Sequence, residues 1–381
     1  MRSMSPMVPR SPGTSACPEP AVDAAEPPVR RVAYRPPLDW RSMLGFLGQR
    51  AIAGVEWVDA CAVGETTGDR DESDTGDGAP AYRRVVRVAG PRGGPERAGW
   101  IEVVRAGRAS SPGAHIALAG LAGPGPAVQR AAMDGSAAQR PAAPRSATSR
   151  PALVLRVDPA IADALPALLP RVRHALDLRC RPDAVAAALG QLAAGEEGLR
   201  LPGAFDAHEI GVRAILGQQI TVRFARVLAG RFVAAFGEPV ATPWPALTHA
   251  FPSAASMAAR DPVEIGALGV TRQRSRTLVA FAEAIASGAI DLSPSADPAV
   301  TVERLKAIPG IGDWTAQYLA MRALRHGDAF PAAAVGVMRA LGVATPRAAA
   351  EAAEAFRPFR GYAVIHLWRS LAPGVAEEAP R

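Results

Sequence analysis

The spacing of apolar positions changes part-way along the chain. Between Asp39 and Ile52, Met43, Leu44, Phe46, Leu47 and Ala51 fall on one side at helical spacing and predict a helix. The short stretches Val55–Val58, Tyr82–Ala89, Gly99–Arg105, His115–Leu118 and Ala152–Val157 predict strands. Asp158 and Pro159 then supply an N-cap and first turn for a helix running to about His174. Everything beyond reads helical: segments near 182–194, 206–219, 221–236, 252–258, 261–267, 272–287, 301–307, 313–325, 334–341, 346–356 and 358–370 are separated by Gly, Pro or capping residues. Helices this short, with turns this frequent, indicate a compact all-α domain. The expected class is α+β: a small N-terminal antiparallel-sheet domain, then an all-α domain.

Composition refines this layout. Residues 1–31 are rich in Pro, Ser and Ala and are expected to be a disordered tail. The N-terminal domain is placed at 32–175 and the all-α domain at 176–381, with an Ala/Pro/Ser/Gln-rich flexible insertion at about 124–150. Gly68–Gly78 is acidic and Gly-rich and reads as a solvated loop. At 381 residues the chain has room for two or three domains, and 49% apolar content excludes wholesale disorder.

Three cysteines, Cys17, Cys61 and Cys180, exclude a disulfide scaffold and a four-cysteine metal site, and the six histidines show no metal-ligand spacing. Cys61 and Cys180 are expected to be buried hydrophobes, and His366 to pack beside Trp368. No apolar run approaches the ~18 residues of a membrane span, and the N-terminus lacks the apolar core of a signal peptide. A soluble, cytoplasmic protein with no membrane partner is expected. The net charge of +7 favours a polyanionic partner only weakly, because solubility explains it equally well. All but one of the 43 basic residues are arginine, a pattern that reads as coding bias. The exception, Lys306, leaves little scope for Schiff-base chemistry.

The most informative stretch is Leu305-Lys306-Ala307-Ile308-Pro309-Gly310-Ile311-Gly312-Asp313-Trp314-Thr315-Ala316-Gln317-Tyr318. A helix, a tight turn and a second helix follow one another directly. Two glycines around one apolar residue let the backbone approach a ligand and turn its N–H groups outward. Those amides sit at a helix N-terminus, where an anion is favoured. A nucleic-acid phosphate fits without base specificity; an ordinary turn between helices is the plainer alternative.

With these residues the chain resembles the helix-hairpin-helix DNA glycosylases, and among them the bacterial 3-methyladenine DNA glycosylase II family. The resemblance runs from about residue 32 and rests on several further blocks. These are Val212-Arg213-Ala214-Ile215-Leu216-Gly217-Gln218-Gln219-Ile220, Met321-Arg322, Phe356-Arg357-Pro358-Phe359-Arg360-Gly361-Tyr362-Ala363 and His366-Leu367-Trp368. Tyr34–Trp40 and Arg50-Ala51-Ile52-Ala53-Gly54-Val55-Glu56 also match the family's small α+β domain.

The resemblance implies duplex DNA containing alkylated bases as partner, bound by a monomer, and extrusion of the damaged nucleotide into a pocket. It assigns Gln219, with Gln218 beside it, as the wedge that fills the vacated stack. It assigns Trp314, Tyr318 and Trp368 to the base pocket. Trp314 and Tyr318 are four apart and share a helix face. Aromatic faces would select an electron-poor, often cationic alkylated purine; the bland alternative is that the three are core. Gly310, Ile311, Gly312 and Thr315 are assigned to the DNA backbone, and the carbonyls of Lys306, Ile308 and Gly310 to a possible monovalent cation. No other cofactor is implied. Bifunctional relatives carry a Schiff-base lysine after the hairpin. Here Trp314 stands in that region, which implies hydrolysis of the N-glycosidic bond without strand cleavage.

One departure matters. The family places an Asp after a Phe-Pro turn, where its charge can steady the oxocarbenium-like sugar and orient water. In Asp328-Ala329-Phe330-Pro331-Ala332-Ala333-Ala334-Val335-Gly336-Val337 that position is Ala334. Asp328 is expected to cap or pair, Asp313 to serve the hairpin helix, and Glu351 and Glu354 to lie on the surface. The chain is therefore expected to bind DNA and insert its wedge, yet excise poorly or not at all. The competing readings are a non-catalytic damage sensor and a protein-interaction scaffold, the latter binding DNA with little salt dependence.

Overall fold

The computed structural model of the protein describes residues 26–59, 80–106 and 150–371. The expected strand at His115–Leu118, the loop Gly68–Gly78, Cys17, Cys61, residues 1–25 of the tail and 124–149 of the insertion lie outside them.

The N-terminal part is built on a five-stranded antiparallel sheet: β1 Val29–Ala33, β2 Glu56–Val58, β3 Tyr82–Val88, β4 Arg97–Arg105 and β5 Ala152–Val157. Its order is β1-β5-β4-β3-β2. β1 begins inside the expected 1–31 tail, which is therefore too long: Val32 is fully buried and pairs with Leu153. The two-residue period sends Leu153, Leu155 and Val157 of β5, and Ile101 and Val103 of β4, to one face. There they meet α1 (Trp40–Arg50) and α2 (Leu165–Ala175), whose Leu44, Leu168 and Val172 are fully buried. Burial of each such side chain stabilises the fold by about 1.5–3 kcal/mol.

Asp39 caps α1 by accepting the Ser42 amide at 2.8 Å. Asp158 likewise accepts the Ala160 amide, at 2.9 Å, but the helix expected directly after it is delayed. Pro159–Ala164 is a 3₁₀ segment with Ile161 off helical geometry, and the α-helix proper starts only at Leu165. The first core also takes in Leu176, Leu178 and Phe205, past the expected boundary at 175.

The rest is α3 (Pro182–Leu189), α4 (Ala207–Leu216), α5 (Val222–Phe236), α6 (Ala254–Ala258), α7 (Pro262–Gly266), α8 (Arg272–Ala286), α9 (Pro298–Lys306), α10 (Asp313–Arg322), α11 (Val335–Leu341), α12 (Pro346–Ala353) and α13 (Arg360–Arg369). Side-chain caps from Asp206, Thr221, Ser253, Asp261, Thr271, Asp297 and Thr345 start seven of these helices. The part is not wholly helical: β6 (Glu238–Pro239) and β7 (His249–Ala250) form a small ribbon. It packs behind the main sheet, where Trp244 meets Trp100 edge-on at 4.9 Å between centroids. Two residues of such a ribbon are too few to leave a period in the sequence. Among the described residues no helix is long and apolar enough to cross a membrane.

Candidate functional site

The hairpin is formed as read: α9 ends at Lys306, α10 begins at Asp313, and the intervening turn is tight. Gly310 sits at φ +94°, in the left-handed region, and a Cβ there would lie 2.1 Å from Thr277 Oγ1. Only glycine fits that contact. Thr277 in turn donates to the Pro309 carbonyl at 2.8 Å, so α8 buttresses the turn.

Gly310 and Gly312 are exposed, but Ile311 and Thr315 are not. Ile311 is 4% exposed and its amide is spent on the Ile308 carbonyl at 3.0 Å. Thr315 is 2% exposed and its hydroxyl accepts the Gln218 amide group at 3.0 Å. Both therefore shape the hairpin from within. What remains for an anion is the opening turn of α10, whose N-cap Gly312 offers no side-chain acceptor to the first amides.

The two glutamines of the α4–α5 turn part company. Gln218 Nε2 bridges the Gly310 carbonyl at 2.9 Å and Thr315 Oγ1 at 3.0 Å, and so ties the turn to the hairpin. Gln219 is exposed and stands at φ +57°, a conformation rare for a residue with a side chain. Arg274, from the first turn of α8, donates to the Gln218 carbonyl at 2.8 Å and holds this turn in place. Burial against the turn lowers the Arg274 pKa.

Beside the turn lies a cavity walled by α4, α5 and α10, with Trp314 and Tyr318 on one side and Ile210, Ala214 and Ile220 among its apolar lining. The two rings stack, with centroids 5.3 Å apart and planes at 14°. Arg322, also on the wall, donates to the Tyr318 hydroxyl at 2.8 Å and fixes that ring. Trp368 is not brought to this cavity. It is 5% exposed on α13, every residue of which from Gly361 to Trp368 is buried in the helical core.

No carboxylate lines the cavity among the described residues. The acids behind it are engaged. Glu56 accepts from Tyr82 at 2.6 Å and pairs with Arg213 at 2.8 Å and Arg84 at 3.4 Å; Glu209 pairs with Arg84 at 2.5 Å and Arg213 at 3.1 Å. Burial pushes the Glu56 carboxyl up, and the Arg213 and Arg84 guanidiniums more than reverse it, holding its pKa below the usual value. This buried tetrad ties β2 and β3 to α4 and was missed in the sequence. Its members come from residues 56, 84, 209 and 213, with no local signal.

Ala334 occupies the N-cap of α11, 1% exposed, with no side-chain acceptor for the helix amides. Asp328 is paired with Arg357 and, at 2.9 Å, with Arg360. Glu351 pairs with Arg347 and Glu354 with Arg357. Asp313 is exposed in the first turn of α10. Lys306 is exposed and pairs with Glu303 at 3.0 Å. Cys180 is a buried free thiol, and His366 is buried near Glu196 at 3.6 Å. No cluster of three or more metal-ligating side chains exists among the described residues. Of the three carbonyls assigned to a cation, Ile308 and Gly310 already accept protein donors. Each keeps a second lone pair, so an ion would share them.

Against known proteins, residues 29–206 match the AlkA N-terminal domain, and residues 212–355 match the HhH-GPD superfamily base excision DNA repair proteins. The chain is 34% identical over 341 residues to DNA-3-methyladenine glycosylase 2 of Escherichia coli, covering 88% of this chain and 95% of that protein. It is 39% identical over 221 residues to a probable bifunctional transcriptional activator/DNA repair enzyme AlkA of Mycobacterium tuberculosis. That match covers 55% of this chain and 44% of the relative, so the chain spans less than half of that relative's length. The structure of a 3-methyladenine DNA-glycosylase from Archaeoglobus fulgidus has the same fold, with a TM-score of 0.58 at 17% identity, covering 89% of this chain and 96% of that one.

Proposed function

The chain belongs to the DNA-3-methyladenine glycosylase 2 family of base excision repair proteins, and we propose that it binds duplex DNA as a monomer, in the cytoplasm, and turns alkylated purines out into the Trp314–Tyr318 cavity. The observation that carries this is one constellation: the exposed Gln219, the tie from Gln218 to Gly310, and the stacked pair one turn past the hairpin. A strand held at Gly310 and Gly312 by α10 amides would place a nucleotide beside both wedge and cavity. Aromatic faces attract a cationic purine more than a neutral one.

The chemistry of this family is hydrolytic in our reading. The C1′–N bond breaks, the cationic purine leaves as the neutral base with the bonding pair, and water adds to C1′ and releases its proton to solvent. A positively charged purine departs readily, so the main demand on the protein is an anion beside the sugar. Ala334 cannot supply it, and Glu56 and Glu209 are already held by Arg84 and Arg213. Loss of such a group costs about 10²–10⁴ in rate. We therefore propose binding and base extrusion with strongly impaired excision. A monovalent cation at Ile308 and Gly310 would lend charge to a DNA phosphate, and no step depends on it.

The same missing carboxylate favours a second reading, a sensor of alkylation damage that does not turn over. Free-base release and binding to an abasic-site duplex, measured on one preparation, separate the readings. Binding with slow release of labile cationic purines supports the impaired enzyme, and binding with no release supports the sensor. Rapid release refutes the impairment, and failure to bind DNA refutes both.

A further inference from the structure

A cavity of about 700 Å³, the size of a small-molecule site, shares no lining residue with the Trp314–Tyr318 cavity. Three stretches of chain wall it. α2 contributes Pro170, Arg171 and His174, which helical spacing puts on one side. The end of α8 and its link to α9 contribute Ile285 and residues 288–294. The third wall is the link leading into α4. There the Gly203 amide donates to the Ala175 carbonyl at 2.9 Å and holds Ala204 and Phe205 beside α2.

Arg171 sets the chemistry of this cavity. Its Nε donates to the Phe205 carbonyl at 2.9 Å and its Nη1 to the Arg87 carbonyl, so the guanidinium is held in one place. Nη2 makes no hydrogen bond among the described residues and stays accessible, and the side chain has no ion pair among them. Burial is the main influence on its pKa and lowers it. Asp206 opposes this, but its carboxylate is engaged in capping α4 at 2.8 Å; Glu209 and Glu96 oppose it more weakly, and Arg84 adds to it. A cation withdrawn from solvent is ordinarily paired. Among the other withdrawn arginines, Arg84 pairs with Glu56 and Glu209, and Arg322 bonds to Tyr318 on the other cavity. Arg200, held by the Arg35 and Pro37 carbonyls, lines neither cavity.

The remaining lining narrows the ligand. His174 is uncharged near neutral pH, pushed down to about 4 by burial and by Arg325, so Arg171 is the one cation there. Asp291 is the one acid, its two oxygens accepting from the Ser293 amide at 2.7 Å and hydroxyl at 3.0 Å. Phe205, Ile290 and Leu292 supply apolar surface between them.

We propose that this cavity binds an amphipathic monocarboxylate, with its carboxylate on Arg171 and its hydrocarbon body along Phe205, Ile290 and Leu292. The site needs neither the hairpin nor Gln219, so it stands apart from the proposed DNA binding. One guanidinium nitrogen suits one small anion. A phosphate monoester, with nearly two negative charges at neutral pH, would meet Asp291 without a second cation to answer it.

The test is calorimetric titration of the full chain at neutral pH with sodium octanoate as probe. One equivalent should bind. Octanol, with the same body and no charge, and adenosine monophosphate, with an extra charge, should each bind at least about 10-fold more weakly. Arg171→Gln should weaken octanoate by about 10–100-fold, the loss of a hydrogen bond to a charged group, and leave octanol unchanged. Asp291→Asn removes a like charge and should strengthen octanoate by about 2–5-fold. Ser293→Trp, half-buried on the same lining, should block both probes. Absence of octanoate binding overturns the site, as does octanol or adenosine monophosphate binding as tightly as octanoate. A folded Arg171→Gln protein with undiminished affinity also overturns it. If that variant fails to fold because two carbonyl bonds are lost, Asp291→Asn and Ser293→Trp decide, and unchanged octanoate affinity in either overturns the proposal.

Discussion

Gln218 spans two structures 92 residues apart in sequence, donating one side-chain amide to the Gly310 carbonyl at 2.9 Å and to Thr315 Oγ1 at 3.0 Å. The residue next to it is the exposed Gln219, so the part that would enter a duplex and the part that would hold its backbone are joined by one side chain. Gln218→Ala should uncouple them. Two hydrogen bonds of about 0.5–1.5 kcal/mol each are lost. The expected result is a weakening of abasic-site binding by about 5–100-fold with a native circular dichroism spectrum. A binding isotherm unchanged from the parent would show that the tie has no mechanical role.

Gly310→Ala should be more damaging than its one carbon implies. The new methyl group would meet the Thr277 hydroxyl at 2.1 Å, and the +94° φ angle is unfavourable for alanine. A loss of about 1–3 kcal/mol is expected, confined to the turn. Amide exchange at residues 309–315 should accelerate while the sheet is unaffected. The double variant Gly310→Ala/Thr277→Ala should recover the steric part only, leaving the φ penalty.

These two positions show how far the sequence could reach. The hairpin and the stacked aromatic pair are legible because each is local: a turn flanked by periodic segments and an i, i+4 pair. Nothing local distinguishes Gln218 from Gln219. Only the fold, by bringing 218 against 310, shows which is tied to the hairpin and which is exposed. The same holds for Trp368, which shares a residue type with Trp314 but sits on a helix buried on every side. The β1 strand was hidden because Pro28 and the two arginines of Val29-Arg30-Arg31 resemble tail composition. The paired Glu56, Arg84, Glu209 and Arg213 were hidden because charges read as surface until a structure shows partners.

Histidine burial gives the stability a pH dependence. His174 is pushed down to about 4 by burial, helped by the nearby Arg325. Burial also lowers the pKa of His208 and of His366. Between about pH 6.5 and 4 the unfolded chain takes up a proton at residue 174 that the folded one refuses. Unfolding is therefore favoured as pH falls through that window, and this contribution is constant above about pH 6.5. Denaturant midpoints measured from about pH 7.5 to 4 should decline below about 6.5, and His174→Gln should flatten part of the decline. Equal slopes for both proteins would place the effect at other groups.

A lyase step is not expected. The single lysine lies before the hairpin, exposed, with Glu303 accepting from its ammonium group and raising its pKa. A protonated, ion-paired amine that does not line the cavity is a poor nucleophile toward C1′. Borohydride treatment of the protein with an abasic-site duplex should yield no cross-linked product, and strands should break only after alkali. A cross-link that disappears in Lys306→Gln would reverse this assignment.

Ala334→Asp bears on chemistry and stability together. The position is the N-cap of α11, at φ −66° and ψ 121°, with no side-chain acceptor for the first amides. An Asp would accept an amide from the first turn and stabilise the helix by about 0.5–2 kcal/mol. Ala334 does not line the Trp314–Tyr318 cavity, so only the family resemblance makes this the position from which an anion would face the oxocarbenium-like sugar. Release of 3-methyladenine should then rise by about 10²–10⁴ with little change in DNA affinity. Ala334→Asn separates the two effects: it caps equally well but brings no charge, so the melting temperature should rise without the gain in rate. If excision is equally fast in the parent, the Asp variant and the Asn variant, another residue performs the chemistry, and Ala334 is only a helix start.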